Sequence, residues 1–579
     1  MIDECVEVFE KMLDNDKNLM LDTYTLSQGI YVIVNKNGNI VSRTDTRKSK
    51  DDKEVDITIK DYKRLAFYDY NSKLLDMNKC LDDKKKIHSN NYLAFSVKIG
   101  SIVNNLLTED IIDKYYDFLQ NPSIKYAGKT KEIYNRFVEQ EGNPDISKIE
   151  IIRTWIKENI FNILDTFEID NKDEGLYLKV FFEADLTEYE RENRRYLYPK
   201  IYNQNKYTIF SADVIYGVPN DNITLNDNKK FLRNLAKNNT TPYLLDIENT
   251  LLRSEFFKYL SNFIRQSKTN VYVDTTKNSI TAYENTETPD YISSGYYLRI
   301  ENKNGNAAIV DHNNIVNFNG NLKKSFVYKN YIGTKSLEDY RAYNNRIEIC
   351  NLIDEIFFNC KLKKHFFSES KEIKKVSTLM KTNIIKARNI VFDWTYKGID
   401  YGLEKVLKEV GLSFIISSLI ADKNEFITIK QLNFLLSINN YFNEGGNNMG
   451  DILQNIKRNI EQKVLNEPEE TPITTDDEYY YAVGQLTKYF ILQSKSQSTN
   501  HSFLRPIINV GNDKVLKNKI MDLHAKFDHA INNTDKRVER LISLIFSYTP
   551  NGKLQKDKVL LGYTSKNVIF TKREDVNNE

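Results

Sequence analysis

The sequence is poor in the residues that build covalent or metal-bound frameworks. Its four cysteines, Cys5, Cys80, Cys350 and Cys360, are scattered over 579 positions. No two are spaced as C-x-x-C, so neither a zinc ribbon nor a disulfide scaffold is indicated. Six histidines, none in an H-E-x-x-H arrangement, speak against a histidine-rich metal site. An excess of one charge is also missing. Lys plus Arg number 82 and Asp plus Glu 80, a formal net charge of +2, which excludes a uniformly basic coat but leaves room for local basic patches. Long apolar runs are absent. The most apolar stretch, Val410 to Ile420, is interrupted by serines and falls short of the ~20 residues that span a bilayer. The first residues, Met1-Ile2-Asp3-Glu4-Cys5, lack the basic and apolar regions of a secretion signal. The expectation is a reduced, cytoplasmic chain with no membrane role. Phosphate-cradling loops are missing too. There is no G-x-x-x-x-G-K-[ST] and no G-x-G-x-x-G, and Asn443-Glu444-Gly445-Gly446 is not followed by Lys-Ser/Thr, so an ATPase or a dinucleotide enzyme is disfavoured. Tryptophan (2) and proline (10) are scarce while tyrosine (37) is plentiful, as are Asn, Lys and Ile. That bias fits an AT-rich coding sequence and lowers the weight of Lys and Asn surpluses.

What is present is enough to fold. Forty per cent of residues are hydrophobic, and the length suggests about three or four domains. Val6, Phe9 and Leu13 mark a helix from Asp3 to Leu13. Gly29 to Ser42 reads as a hairpin about Asn37-Gly38, a type I′ turn signal. Thr44 to Lys60 is charged and reads as a loop. Thr108 caps a helix with Ile111, Ile112, Tyr115 and Leu119 inward, stopped by Asn121-Pro122. Asp145 opens another, with Ile149, Ile152, Ile156, Ile160 and Ile163 as its stripe. The spacing predicts strands at Leu176–Glu183, Tyr207–Tyr216, Val271–Tyr283, Tyr296–Glu301 and Ala307–Phe318, a turn at Asn304-Gly305, and a helix from Leu244 to Gln266. From Leu337 almost every segment reads as helix. Thr475-x-x-Glu478 is a capping box before Val483, Leu486 and Phe490. Ala525 to Tyr548 reads as one amphipathic helix with Phe527, Ile531, Val538, Leu541 and Ile545 inward. The expected fold is α+β: a mixed α/β N-terminal region with antiparallel hairpins (1–336), a helical connecting region (337–442), a Gly/Asn-rich gap, and a C-terminal helical bundle (449–579).

Several constellations could carry chemistry. Pro289-Asp290 followed by Glu301-Asn302-Lys303 matches a loose nuclease pattern, in which two carboxylates hold Mg²⁺ and a lysine activates water. The competing reading is the wet end of a hairpin. The histidines give no Ser/His/Asp or Cys/His signature; His524 and His529, five apart, do not share a helix face. Basic clusters punctuate the chain: Lys84-Lys85-Lys86, Lys229-Lys230 with Arg233, Lys361 with Lys363 and Lys364, Lys374-Lys375, and Lys536-Arg537 with Arg540. Several stand beside aromatics, the combination with which proteins hold nucleic acid without reading bases; a solvated helix face is the plainer alternative. Two polar stretches are dense in asparagine, His88-Ser89-Asn90-Asn91 and Asn220 to Lys230. Asn can bond base edges and also tolerates tight turns.

Together, Tyr68 to Tyr92, Asn226 to Leu245, and Tyr481 to Tyr548 (with GQLTKYFILQSKSQSTNHSFLRPI and DHAINNTDKRVERLISLIFSY) resemble, in order and spacing, the large subunit of the type I-B CRISPR surveillance complex, Cascade, the Cas-eight family, b variety. The resemblance implies a non-catalytic, cofactor-free subunit of an antiviral complex. Its partners would be CRISPR RNA, target double-stranded DNA, the Cascade backbone, RNA-processing and small subunits, and a helicase-nuclease. It would recognise the protospacer-adjacent motif in duplex DNA, promote the R-loop, and help recruit that nuclease, while base pairing reads most of the sequence. On that basis Asn220, Asn222, Asn226 and Asn228 are candidate motif readers. Lys229, Lys230, Arg233, Lys514, Lys517, Lys536, Arg537 and Arg540 are candidate phosphate contacts. Lys84, Lys85, Lys86, His88, Asn90 and Asn91 are candidates for the RNA 5′ end. Glu444-Gly445-Gly446-Asn447-Asn448-Met449 can be encoded by a purine-rich ribosome-binding sequence ahead of an ATG, which makes Met449 a candidate internal start for a small-subunit-like product. The rivals are a Mg²⁺ nuclease using Asp290, Glu301 and Lys303, and a purely structural interaction protein.

Overall fold

The computed structural model describes residues 1–47, 58–75, 80–202, 207–219, 244–303, 306–333, 340–421, 425–442, 449–465, 471–494, 500–531 and 536–571. Two compact units emerge: Met1–Asn285 with Ser293–Val316, and Thr286–Ile292 with Asn317–Glu579. The fold is α+β, with antiparallel sheets in an N-terminal α/β region and a largely helical C-terminal region. Sequence regions 337–442 and 449–579 fall in the same compact unit.

The first unit is organised by a four-stranded sheet. Its strands are β1 (Gly29–Val34), β2 (Ile40–Asp45), β3 (Ala94–Lys98) and β4 (Tyr177–Phe182), in the order β2-β1-β4-β3. β1 and β4 are the central pair and run parallel; β2 and β3 flank them antiparallel. All six residues of β1 are buried, as expected for a strand covered on both faces. Gly29 lies so close to Tyr177 that a Cβ would meet its carbonyl oxygen at 2.5 Å, and this lets the parallel pair close at its start. Helices Tyr62–Tyr70, Glu109–Gln120 and Ile146–Asn159 share one core with this sheet. Both expected N-caps are present: Thr108 Oγ1 accepts from Ile111 N, and Asp145 Oδ1 from Lys148 N. All five isoleucines of the stripe after Asp145 are buried. A second sheet, built on Asn270–Asp274, Ser279–Tyr283, Tyr291–Lys303 and Asn306–Asn319, shares a core with helices Ile2–Asn15 and Ile247–Arg265. There Phe9 packs against Phe256 and Tyr259, with ring centroids 5.7 and 5.3 Å apart.

Several expectations are corrected. The first hairpin does not close on a two-residue turn: Asn35 N bonds Asn39 O and Gly38 N bonds Asn35 O, with Gly38 at φ +81°. The loop is longer because the Asn35 side chain accepts from Asn37 N and Asn39 N. Val271–Tyr283 is two strands with a turn carrying Asn278 at φ +48°, and Tyr207–Tyr216 holds the short pair Ile209–Ser211 and Val214–Gly217. The helical region does not begin at Leu337, since Tyr340–Asn345 is a strand paired with Asn321–Lys329. Ala525–Tyr548 is not one helix. One helix ends at Phe527, a 3-10 turn follows at Asp528–Ala530, and a new helix runs Lys536–Ser547. The expected inward residues are nonetheless all buried. The turn at Asn304-Gly305 lies outside the described residues.

The second unit ends in a helical bundle: Met449–Leu465, Asp476–Leu492, Asp513–Phe527, Lys536–Ser547 and Lys556–Thr564. Asp476–Leu492 is its axis, with all but a few of its residues buried, as suits a helix enclosed by others. Half of the expected capping box forms. Thr475 Oγ1 accepts from Glu478 N, but the Glu478 carboxylate accepts from Thr474 N, Lys463 Nζ and Asn459 Nδ2 instead. The helices Asp476–Leu492 and Lys556–Thr564 touch backbone to backbone. A Cβ on Gly484 would overlap the Val559 carbonyl oxygen, and one on Gly562 the Tyr481 carbonyl oxygen. Gly484→Ala should therefore lower stability by about 1–3 kcal/mol through overpacking, read as a fall in the urea midpoint. Gly511→Ala, where nothing lies within 4 Å, should stay within ~0.5 kcal/mol.

Candidate functional site: a lysine cavity in the first unit

The site begins with a lysine where the sheet should be apolar. Lys179 sits mid-strand in β4, with Tyr31 beside it on β1 and Ser96 on β3, and only 7 % of it is exposed. An unpaired buried ammonium costs several kcal/mol. The helix Tyr62–Tyr70 supplies the counter-charge: Asp69 Oδ1 lies 2.7 Å from Lys179 Nζ, and Asp69 Oδ2 accepts from the Tyr24 hydroxyl at 2.6 Å. Lys179 Nζ also lies 3.2 Å from Ser27 Oγ. Burial alone would push the Asp69 carboxyl up, but Lys179 and then Lys73 outweigh it and hold it down at about 2. Lys179 is raised: its burial is outweighed by Asp69.

Above this pair opens a cavity of about 240 Å³. Tyr177, Lys179 and Ser96 form its floor on the sheet. Asp69, Ser72, Lys73 and Leu74 form a wall from the end of the helix, and Ser27 and His88 complete it. Lys73 is held through its backbone. It bridges to Ser89, and its carbonyl accepts from Asn90 Nδ2 at 2.6 Å. Its Nζ stands 3.7 Å from Asp69 Oδ2 and 4.3 Å from the centre of the Tyr24 ring. Burial, and after it the neighbouring Lys179, Arg265 and Lys258, pulls Lys73 down to about 7, with Asp69 opposing. The Lys73 side chain is still 41 % exposed, so solvent reaches it from the cavity mouth. His88 packs edge-on to Tyr177 at 5.3 Å, with Nδ1 3.9 Å from Cys80 Sγ. Burial, then Lys98, lowers it to about 4, so it is neutral at neutral pH. The cavity thus holds two lysines against one carboxylate that is already committed, an arrangement suited to an anion.

Of the residues expected at an RNA 5′ end, only His88 lines this cavity. Lys84 and Lys85 are exposed and Lys86 half-buried. Asn90 and Asn91 are buried and serve the fold: Asn90 also bonds Asn193 Oδ1, and Asn91 Nδ2 reaches the Asn71 and Tyr189 carbonyls. The motif-reading candidates Asn220, Asn222, Asn226 and Asn228, and with them Lys229, Lys230 and Arg233, lie outside the described residues. In the bundle, Lys514 and Lys536 are exposed. Lys517 is drawn inward to Asp513 and the Tyr548 carbonyl, Arg537 holds the Ile569 and Thr571 carbonyls, and Arg540 holds that of Val464. Met449 is the first residue of its helix. Asp290 belongs to the second unit, where its carbonyl accepts from Gly320 N, while Glu301 and Lys303 end a strand of the first. No group of three His, Cys, Asp or Glu able to hold a metal occurs among the described residues, and no helix among them is long and apolar enough to cross a membrane.

Sequence reading passed over Asp69, Lys73, Lys179 and Ser96. One signal was available: Lys179 interrupts the otherwise apolar strand Leu178-Lys179-Val180-Phe181-Phe182. Comparisons with protein-family models, with curated proteins and with solved structures returned no match to this chain.

Removing Asp69 strands a buried charge, so Asp69→Ala should cost about 3–5 kcal/mol, measured by urea unfolding. The pH dependence has two parts of the same sign. Asp69 is lowered, so its stabilisation is present above 3.8 and lost as pH falls toward about 2. Lys73 is lowered from 10.5 to about 7, so between those values the unfolded chain binds more protons and stability rises with pH. Lys73→Met should flatten that alkaline rise in a urea-midpoint series from pH 7 to pH 10 and reduce, without abolishing, the acid limb, which Lys179 still supports.

Proposed function

We propose that the chain is the non-catalytic large subunit of a type I-B Cascade complex: it recognises a protospacer-adjacent motif in duplex DNA, promotes R-loop formation beside it, and helps recruit a helicase-nuclease in antiviral defence. The observation that carries this reading is where the resembling segments lie. Tyr68 to Tyr92 supplies the helix end, Asp69 to Leu74, and His88 around the lysine cavity. Tyr481 to Tyr548 supplies the enclosed axis of the C-terminal bundle and two helices packed about it. An α/β region followed by a helical bundle is the architecture that the resemblance implies. Exposed Lys514 and Lys536 suit phosphate contact, which positions a protein on nucleic acid without reading sequence. Met449, opening the helix Met449–Leu465, suits the start of a separately made bundle.

The test uses the chain assembled with its backbone and RNA-processing subunits and a CRISPR RNA. Binding should require the cognate flank on the duplex and should weaken steeply with salt. Lys514→Ala with Lys536→Ala should weaken binding evenly across flanks and reduce the salt slope by about two. Asp290→Asn should leave interference intact. Indifference to the flank, or DNA cleavage by this chain alone with Mg²⁺ that Asp290→Asn abolishes, overturns the proposal. Salt-insensitive association with protein partners only would favour the purely structural role.

A further inference from the structure

The lysine cavity has features that packing alone does not require. Lys179 is neutralised by Asp69, whose second oxygen is taken by Tyr24. Lys73 is then a second ammonium beside a carboxylate already in use, and at 3.7 Å it lies beyond hydrogen-bond reach of it. Ser96 and Tyr177, both hydroxyl-bearing, line the same space. His88, being neutral, can donate from one ring nitrogen. A volume of about 240 Å³ is below the ~300–1,000 Å³ of pockets that enclose a drug-sized ligand. It suits one compact group entering from the open side.

We propose that this cavity is an oxyanion site that takes a single phosphate group, with Lys73 Nζ as the principal cation and Lys179, Ser96, Tyr177 and His88 as the polar groups around it. The inference does not rest on the Cascade reading. Phosphate is the class because the surplus charge is positive, the donors are lysine, hydroxyl and imidazole, and a compact tetrahedral anion can accept from several of them at once. Binding also moves a proton. The groups that face Lys73 are Asp69 on its own segment, Lys179 on β4, Tyr24, and Arg265 and Lys258 on the helix Ile247–Arg265. Three of these are cations that disfavour its charged form. An anion beside Nζ favours that form, so above about pH 7 the protein takes up a proton as the anion binds, and affinity falls with rising pH.

The experiment is isothermal titration of the full chain with sulfate and with inorganic phosphate, in two buffers of different ionisation enthalpy, at pH 6 and pH 8. Sulfate is divalent throughout, so its pH dependence reports the protein. Binding is expected for both anions, with little proton uptake at pH 6 and clear uptake at pH 8. Lys73→Met should weaken binding at least about tenfold, the loss of one charge-assisted hydrogen bond, and should abolish the uptake. Lys73→Arg, charged at both pH values, should bind without uptake. Thermal unfolding of each variant shows that it is folded. A 5′-phosphorylated short RNA that binds more tightly than its 5′-hydroxyl counterpart assigns the phosphate to a nucleic-acid end. Equal RNA affinities, with adenosine monophosphate binding as inorganic phosphate does, assign it to a small molecule. No binding of either inorganic anion by the folded chain, or binding unchanged by Lys73→Met, overturns the proposal.

Discussion

A lysine in the middle of a doubly covered strand dictates much of the first unit. Lys179 leaves the neighbouring helix no freedom at one position: a carboxylate must arrive within hydrogen-bond distance, and Asp69 does. The helix that carries it starts at Tyr62 after Asp61, a non-glycine residue at φ +63°. It is held at that end by Tyr62, whose hydroxyl donates to the Tyr24 carbonyl. Tyr24 in turn closes on Asp69. Sheet, helix and the loop before β1 are therefore tied through one carboxylate. A second lysine one turn along, Lys73, cannot be fully satisfied by the same group. The charge of the cavity follows from the packing of the core rather than from a surface patch.

The second unit uses its cations differently. Its axial helix, Asp476–Leu492, brings Glu478 inside, where Lys463 and Asn459 meet it. Lys558 pairs with Asp477, and Lys517 sits between Asp513 and the Tyr548 carbonyl. Arg537 and Arg540 hold backbone carbonyls at the ends of neighbouring segments. Buried carbonyls need donors, and a long cation reaches one while its stem packs against apolar neighbours. A basic stretch in this sequence is thus often a set of internal braces, and counting lysines overstates how much positive charge faces solvent.

This marks the limit of what the sequence disclosed. Periodicity found the helices after Thr108 and Asp145, their caps and their buried stripes, because burial and turn chemistry act locally there. It merged Ala525–Tyr548 into one helix because Phe527, Ile531 and Val538, four and seven residues apart, keep a helical spacing across a break, and hydrophobic spacing does not register an exposed turn between residues that stay buried. It read Thr475 and Glu478 as a reciprocal box, since the spacing cannot tell that Lys463 and Asn459 will claim the carboxylate. For the cavity, the segment from Tyr68 to Tyr92 drew notice for its asparagines and histidine, of which only His88 faces the space. Its real chemistry depends on Lys179, more than eighty residues beyond that segment, and on a strand order that places β4 between β1 and β3. No local pattern encodes that juxtaposition.

The two kinds of lysine would meet phosphate by different physics. Lys514 and Lys536 are solvated, so their contribution is largely counterion release: general, additive and erased by salt. Lys73 stands half-exposed at a cavity mouth beside other cations, where Coulomb forces are stronger and screening is weaker than in open solvent. Its grip is local, stoichiometric and governed by pH rather than by salt. If the chain works on nucleic acid, exposed lysines suffice to hold the backbone, and nothing in that task calls for a lysine whose charge is marginal near neutrality. The cavity therefore points to a separate requirement for one phosphate in one place, which an even coat of positive charge would not meet.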